Sequence, residues 1–146
     1  MTEVQFHFNV PDRLGYACRL LRKALRAGAG VTVTAPEQVL TVFDRILWSF
    51  EPTEFVPHVL LRAGQVLAPR LAATPIVLTE RAESATRHGV LLNLGDEPAE
   101  GFESFERLIE VVSADAAERD AARLRWRHYA SRGYEIQRHD RQESGA

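Results

Sequence analysis

Cysteine occurs once, at Cys18, so the chain can form no internal disulfide and no cysteine-based zinc site. A lone thiol is what a reducing, cytoplasmic setting leads one to expect. Lysine also occurs once, at Lys23, and every other basic side chain apart from histidine is arginine. Basic sites are therefore flat guanidinium forks rather than compact ammonium charges. Long apolar runs are missing: none approaches the ~20 residues that cross a bilayer. Thr2-Glu3-Val4-Gln5 lacks the basic start and apolar stretch of a secretion signal. Excess charge is missing too. A formal net charge of -2 gives no global field to draw in DNA or an anionic membrane, so any such role must come from local charge.

Catalytic motifs are equally scarce. No GxxxxGK[ST] occurs, and Gly28 and Gly30 fall between a helix end and a strand start, the opposite side of a sheet from a phosphate loop. His7, His58, His88, His128 and His139 are scattered, with no pair spaced to put two metal ligands on one helix face. Ser49 and Ser131 have no GxSxG context. Cys18 falls on the apolar stripe of a helix and reads as a small buried hydrophobe. Asp44 and Arg45 read as a solvated helix face. No catalytic residue, cofactor or metal is expected.

What is present is the profile of one soluble domain: 146 residues, 45% hydrophobic and 26% charged. Val4, Phe6, Phe8 and Val10 alternate with polar residues and predict a strand. Leu14, Ala17, Cys18, Leu21 and Leu25 recur at three and four and predict a helix over 13–27, ended by Gly28-Ala29-Gly30. Val31-Thr32-Val33-Thr34 is a β-branched strand, and the stripe Val39, Leu40, Phe43, Ile46 and Leu47 a second helix starting near Pro36. This β-α-β-α order predicts an α/β fold with a parallel sheet and crossover helices. Residues 49–74 read as irregular, punctuated by Pro52, Pro57, Gly64 and Pro69. Residues 76–79 and 90–94 read as strands around a polar stretch 81–88. Residues 102–108 read as a short helix feeding a strand at 109–112. Asp115 and Glu118 predict a capping box opening a last helix that runs to about Arg132. One domain over 1–137 and a charged, frayed tail over 138–146 complete the reading.

Two stretches carry a signal. In the first, Trp48, Phe50 and Phe55 cluster at a helix end and in a loop containing Pro52. Such aromatics either plug the core or form a protein-binding patch. In the second, Arg119, Arg123 and Arg127 recur at four along one face of the last helix, with Trp126 on the neighbouring row and Asp120 as the only acid between Arg119 and Gly133. One reading is a solvated basic face, including Arg125 and Arg132, on a helix whose Leu124 and Tyr129 pack inward. Another is a site for a short acidic, apolar peptide ending in a carboxylate. A third is direct contact with single-stranded DNA.

At these stretches the sequence resembles the chi subunit family of bacterial DNA polymerase III. The resemblance rests on Leu47-Trp48 followed by Glu54-Phe55-Val56-Pro57-His58, and on the pattern Arg-x-Arg-aromatic-basic-x-Tyr-x-x-x-Gly from Arg123 to Gly133. It implies a three-layer α/β/α sandwich with a mostly parallel sheet, like a nucleotide-binding fold without a phosphate loop. It implies a non-catalytic adaptor. Trp48, Pro52 and Phe55 would dock the psi subunit or another part of the clamp loader, and relatives engage a repair helicase through the same aromatic surface. Val112, Arg119, Arg123, Trp126 and Arg127 would hold the acidic C-terminal tail of single-stranded DNA-binding protein. Trp126 stands where tyrosine is more usual, and Ser49-Phe50-Glu51 departs from the family pattern.

Overall fold

The computed structural model describes residues 1–49, 56–62, 65, 68–71, 73–85 and 87–141. These residues form seven strands and three α-helices: β1 Glu3–Val10, α1 Arg13–Arg26, β2 Val31–Thr34, α2 Glu37–Ser49, β3 His58–Leu61, β4 Ile76–Thr79, β5 Val90–Asn93, β6 Arg107–Ser113, α3 Ala116–Ser131 and β7 Ile136–Asp140. The strands make one sheet in the order β3-β4-β2-β5-β6-β1-β7, and every pairing is parallel. Parallel neighbours require crossovers, and the helices that supply them cover both faces.

Alternation along β1 puts Val4, Phe6 and Phe8 in one apolar cluster with α3, and the irregularity between His7 and Val10 turns Val10 to the other, with α1 and α2. The central strands β2 and β4 are buried at every position, as expected for strands covered on both sides. In α1, Ala17, Cys18 and Leu21 are sealed, and burial pushes the Cys18 thiol up to about 12, making it inert. Asn9 takes a left-handed backbone, φ 58°, where β1 gains a residue against β6.

Four elements differ from the sequence-based expectation. β3 lies inside the stretch read as irregular and pairs His58 with Ile76. The helix expected over 102–108 is a single 3-10 turn, Phe102–Ser104, and β6 already begins at Arg107. The polar stretch 81–88 holds a 3-10 turn at Ala82–Ser84. The segment assigned to a frayed tail supplies Arg138, His139 and Asp140 to β7, which pairs with β1 through Phe6–Arg138 and His7–His139. β1 would otherwise be an open edge, and its unpaired backbone groups draw the chain back onto the sheet. Residues 142–146 of that tail lie outside the described residues.

Candidate functional site

The long last helix is fixed before it presents anything. Asp115 caps it by accepting from Glu118 N at 3.1 Å. Glu118 completes a variant of the expected box: its carboxylate accepts from Ser113 N at 3.3 Å and stands 3.6 Å from the Arg13 guanidinium. Beneath the helix, Arg125 is 2% exposed and Glu110 fully buried, with Arg125 Nε donating to Glu110 Oε1 at 2.9 Å. Tyr129 donates to the other carboxylate oxygen at 2.5 Å and Asn93 at 3.0 Å. Burial pushes the Glu110 carboxyl above the usual range, against the pull of Arg125 and of the hydrogen bonds from Tyr129 and Asn93. Arg125 therefore belongs to the core and not to a solvated basic face. Leu124, expected to pack inward, is 64% exposed on the opposite flank.

On one flank of α3 a pocket of about 240 Å³ opens toward solvent. α3 contributes Arg119, Ala122, Arg123 and Trp126, and the sheet contributes Phe6, Phe8, Val112 and Arg138. Phe6 and Phe8 face this side because strand side chains alternate. The Phe6 ring lies 5.0 Å from Trp126. The Arg138 guanidinium lies over both Phe8 and Trp126, at 5.2 and 5.9 Å, a stacking that holds the cation at the pocket wall. Arg123 Nη1 donates to Asp120 at 3.3 Å, and both side chains are largely exposed. Three guanidinium groups thus stand around an apolar aromatic floor. Among the described residues, the pocket lining holds no thiol, hydroxyl, imidazole or carboxylate. It suits an apolar side chain next to carboxylates.

Four of the five residues expected here, Val112, Arg119, Arg123 and Trp126, are brought together. Arg127 is exposed but does not line the pocket, because it lies about 40° further around the helix than Arg123. Sequence reasoning missed Phe6, Phe8 and Arg138. The alternation of β1 could have offered the first two; Arg138 required knowing that β7 exists.

At the other expected site, Trp48 lies in the last turn of α2 and is 59% exposed, its ring 4.7 Å from that of His58. His58 Nδ1 donates to Val56 O at 2.7 Å, and its Nε2 lies 3.0 Å from Asp44 Oδ1. Asp44 is thus engaged in tying α2 to β3 rather than simply solvated. Pro52 and Phe55, expected beside Trp48, lie outside the described residues, as does Phe50.

The helix N-termini at the carboxyl edge of the sheet carry their own anions. Asp12 caps α1, accepting from Gly15 N at 3.1 Å; Glu37 lies in the first turn of α2; Asp115 and Glu118 open α3. A phosphate approaching any of these ends meets a carboxylate first. Among the described residues no group of three His, Cys, Asp or Glu side chains is placed to hold a metal, and no helix is long and apolar enough to cross a membrane.

Residues 1–137 match the family model described as DNA polymerase III chi subunit, HolC. The chain belongs to the DNA polymerase III chi subunit family. This chi-family chain is 34% identical to DNA polymerase III subunit chi of Pseudomonas aeruginosa, over 95% of its own length and 96% of the relative's. It is 29% identical to the chi subunit of Haemophilus influenzae, with 82% and 81% covered, and 23% identical to that of Escherichia coli, with 82% and 79% covered. In fold it is similar to the C-terminal domain of S. cerevisiae Dbp5, solved bound to Gle1 and IP6. The TM-score is 0.56 at 10% identity, covering 96% of this chain and 90% of that one. At that identity the likeness concerns the chain path alone.

Proposed function

We propose that this chi-family chain is a non-catalytic adaptor of the polymerase III assembly, and that its α3–β7 pocket receives the acidic C-terminal tail of single-stranded DNA-binding protein. The observation that carries this reading is the ring of Arg119, Arg123 and Arg138 around Trp126, Val112 and Phe8. An apolar side chain of the tail fills the aromatic floor while its carboxylates meet guanidinium forks. The face around Trp48 docks the psi subunit or an equivalent clamp-loader component, and Pro52 and Phe55 are proposed to take part in that docking.

Magnitudes set the expected strength. A charge-assisted bond to a terminal carboxylate contributes about 1.5–3 kcal/mol. Burying an apolar side chain against Trp126 and Val112 contributes roughly 1.5–3 more. Exposed pairs to the outer arginines add about 0–1 each. Ordering a flexible peptide takes back several kcal/mol. These terms leave only a few kcal/mol in hand, so the complex is weak and readily dissociating, and it weakens further with salt because the charges face water.

Fluorescence anisotropy with a labelled acidic tail peptide, across a salt series, tests this. Arg123→Ala should weaken binding strongly while the fold stays intact. Equal binding by wild type and variant would remove the pocket as the tail site. Tight binding of single-stranded DNA by the chain alone, lost in the same variant, would transfer the surface to nucleic acid.

A further inference from the structure

We infer that the flank of α3 opposite the arginine pocket is a second docking groove, fitted to a basic, apolar segment of a partner protein. The groove has a volume of about 730 Å³ and runs between the outer row of α3 and the loop that follows β5. Leu124, His128 and Arg132 stand four apart along that row. Among the described residues, Leu124 is one of four large apolar side chains left exposed, with Met1, Val42 and Trp48. Phe102 and Tyr134 floor the groove with their rings 5.1 Å apart, edge to face.

Charge decides the occupant. The facing wall carries Asp96, Glu97, Glu100 and Glu103. Among the described residues the one guanidinium lining the groove is that of Arg132, and it turns back on its own helix, donating to His128 Nδ1 and to His128 O at 3.0 and 3.1 Å. Burial and the nearby Arg132 lower the affinity of His128 for a proton, so it adds no charge. Four carboxylates against one cation leave a net of three negative charges around an apolar strip. Lysines and arginines flanking a leucine-type side chain complement this arrangement.

The wall is also preorganised. Asn93 Nδ2 donates to Glu97 O at 2.9 Å and Arg125 Nη1 to Asp96 O at 3.1 Å. Both donors belong to the buried Glu110 network, so the acidic loop is anchored from beneath. Gly101, at φ +84°, permits its turn into Phe102. Little ordering is left for a partner to impose. The helix therefore separates two grooves of opposite charge, and the second is independent of the reading given to the first.

The test uses the full chain and a capped amphipathic peptide of leucine and lysine, followed by amide chemical shifts. A lysine–serine peptide of equal charge is the control. The leucine–lysine peptide should shift residues 96–103, Leu124 and His128, and leave Arg119 and Arg123 undisturbed. Leu124→Asp adds a negative charge, so nonspecific attraction would rise; a specific groove should instead bind at least about tenfold more weakly, as should Glu97→Gln/Glu100→Gln. All these side chains are exposed, and amide chemical shifts unchanged away from the groove confirm that each variant is folded. Equal binding of the lysine–serine peptide, or undiminished binding by Leu124→Asp, overturns the proposal. So does a dimer in sedimentation that Leu124→Asp dissolves, since the groove would then belong to a second copy of the chain.

Discussion

Glu110 and Arg125 are a charged pair inside an apolar layer, and their value to the fold depends on both being present. Replacing Glu110 by Gln leaves a buried guanidinium without its counter-charge, which costs about 3–5 kcal/mol. Glu110→Leu with Arg125→Met should cost much less, because no charge is stranded. Urea denaturation of the two variants beside the wild type distinguishes these outcomes. A second residue carries a pH signature. His7 sits between Gln5 and Tyr16, its Nε2 donating to Gln5 Oε1 at 3.1 Å and its Nδ1 bonded to the Tyr16 hydroxyl. Burial, then His139, Arg141 and Lys23, push its pKa down from 6.5 to about 4. The unfolded chain binds this proton more readily than the folded one. The contribution of His7 is therefore complete above pH 6.5 and lost as pH falls toward 4. Denaturation midpoints between pH 7.5 and 4 should fall less steeply in His7→Gln. In the arginine pocket, Arg138→Ala should weaken acidic-peptide binding several-fold and Arg127→Ala hardly at all. Equal effects in anisotropy would mean that helix charge matters and pocket geometry does not.

Acids at the helix starts dictate an element-scale outcome. With Asp12, Glu37, Asp115 and Glu118 holding those ends, calorimetry with ATP and Mg²⁺ should show no binding in the micromolar range. The same scale explains what could be read in advance. α1, α2 and α3 were legible because long apolar stripes and caps repeat over several turns. β1, β2, β4 and β5 were legible from alternation or β-branched runs. β7 was not: Ile136-Gln137-Arg138-His139-Asp140 has one aliphatic residue and reads as a polar tail. Its pairing comes from the open backbone of β1, which no local pattern reveals. β3 hid behind proline punctuation, and the turn at Phe102 is too short for any period. The site followed the same rule. Arg119, Arg123 and Trp126 share a helix face and could be seen together, whereas Arg138 reaches them only through the sheet. Leu124 and Arg125 were misassigned because the arginines masked which side of α3 faces inward. Burial of Arg125 depends on Glu110, a partner on another element.

For the molecule as a whole, the two expected partner surfaces lie in different layers. Trp48 belongs to α2, which packs on one face of the sheet, and Arg123 to α3, which packs on the other. Substitutions this far apart, with no shared contact, act independently. Trp48→Ala should impair capture of clamp-loader components and leave acidic-peptide binding unchanged. Arg123→Ala should do the reverse, and the double variant should show both losses without excess in paired pull-down and anisotropy assays.

The place of β1 has a consequence for how the chain is made. Its two neighbours in the sheet are β6 and β7, both more than a hundred residues later in the chain. During synthesis Phe6 and Phe8 leave the ribosome more than a hundred residues ahead of Trp126 and Arg138, which cover them. Closing so long a loop is entropically expensive and slow, in the millisecond-to-second range typical of non-local pairing. Trp126, against Phe6, reports that closure. In a Trp48→Phe background its stopped-flow fluorescence should develop only in the final folding phase, and a nascent chain halted before Ile136 should be the species most dependent on chaperones.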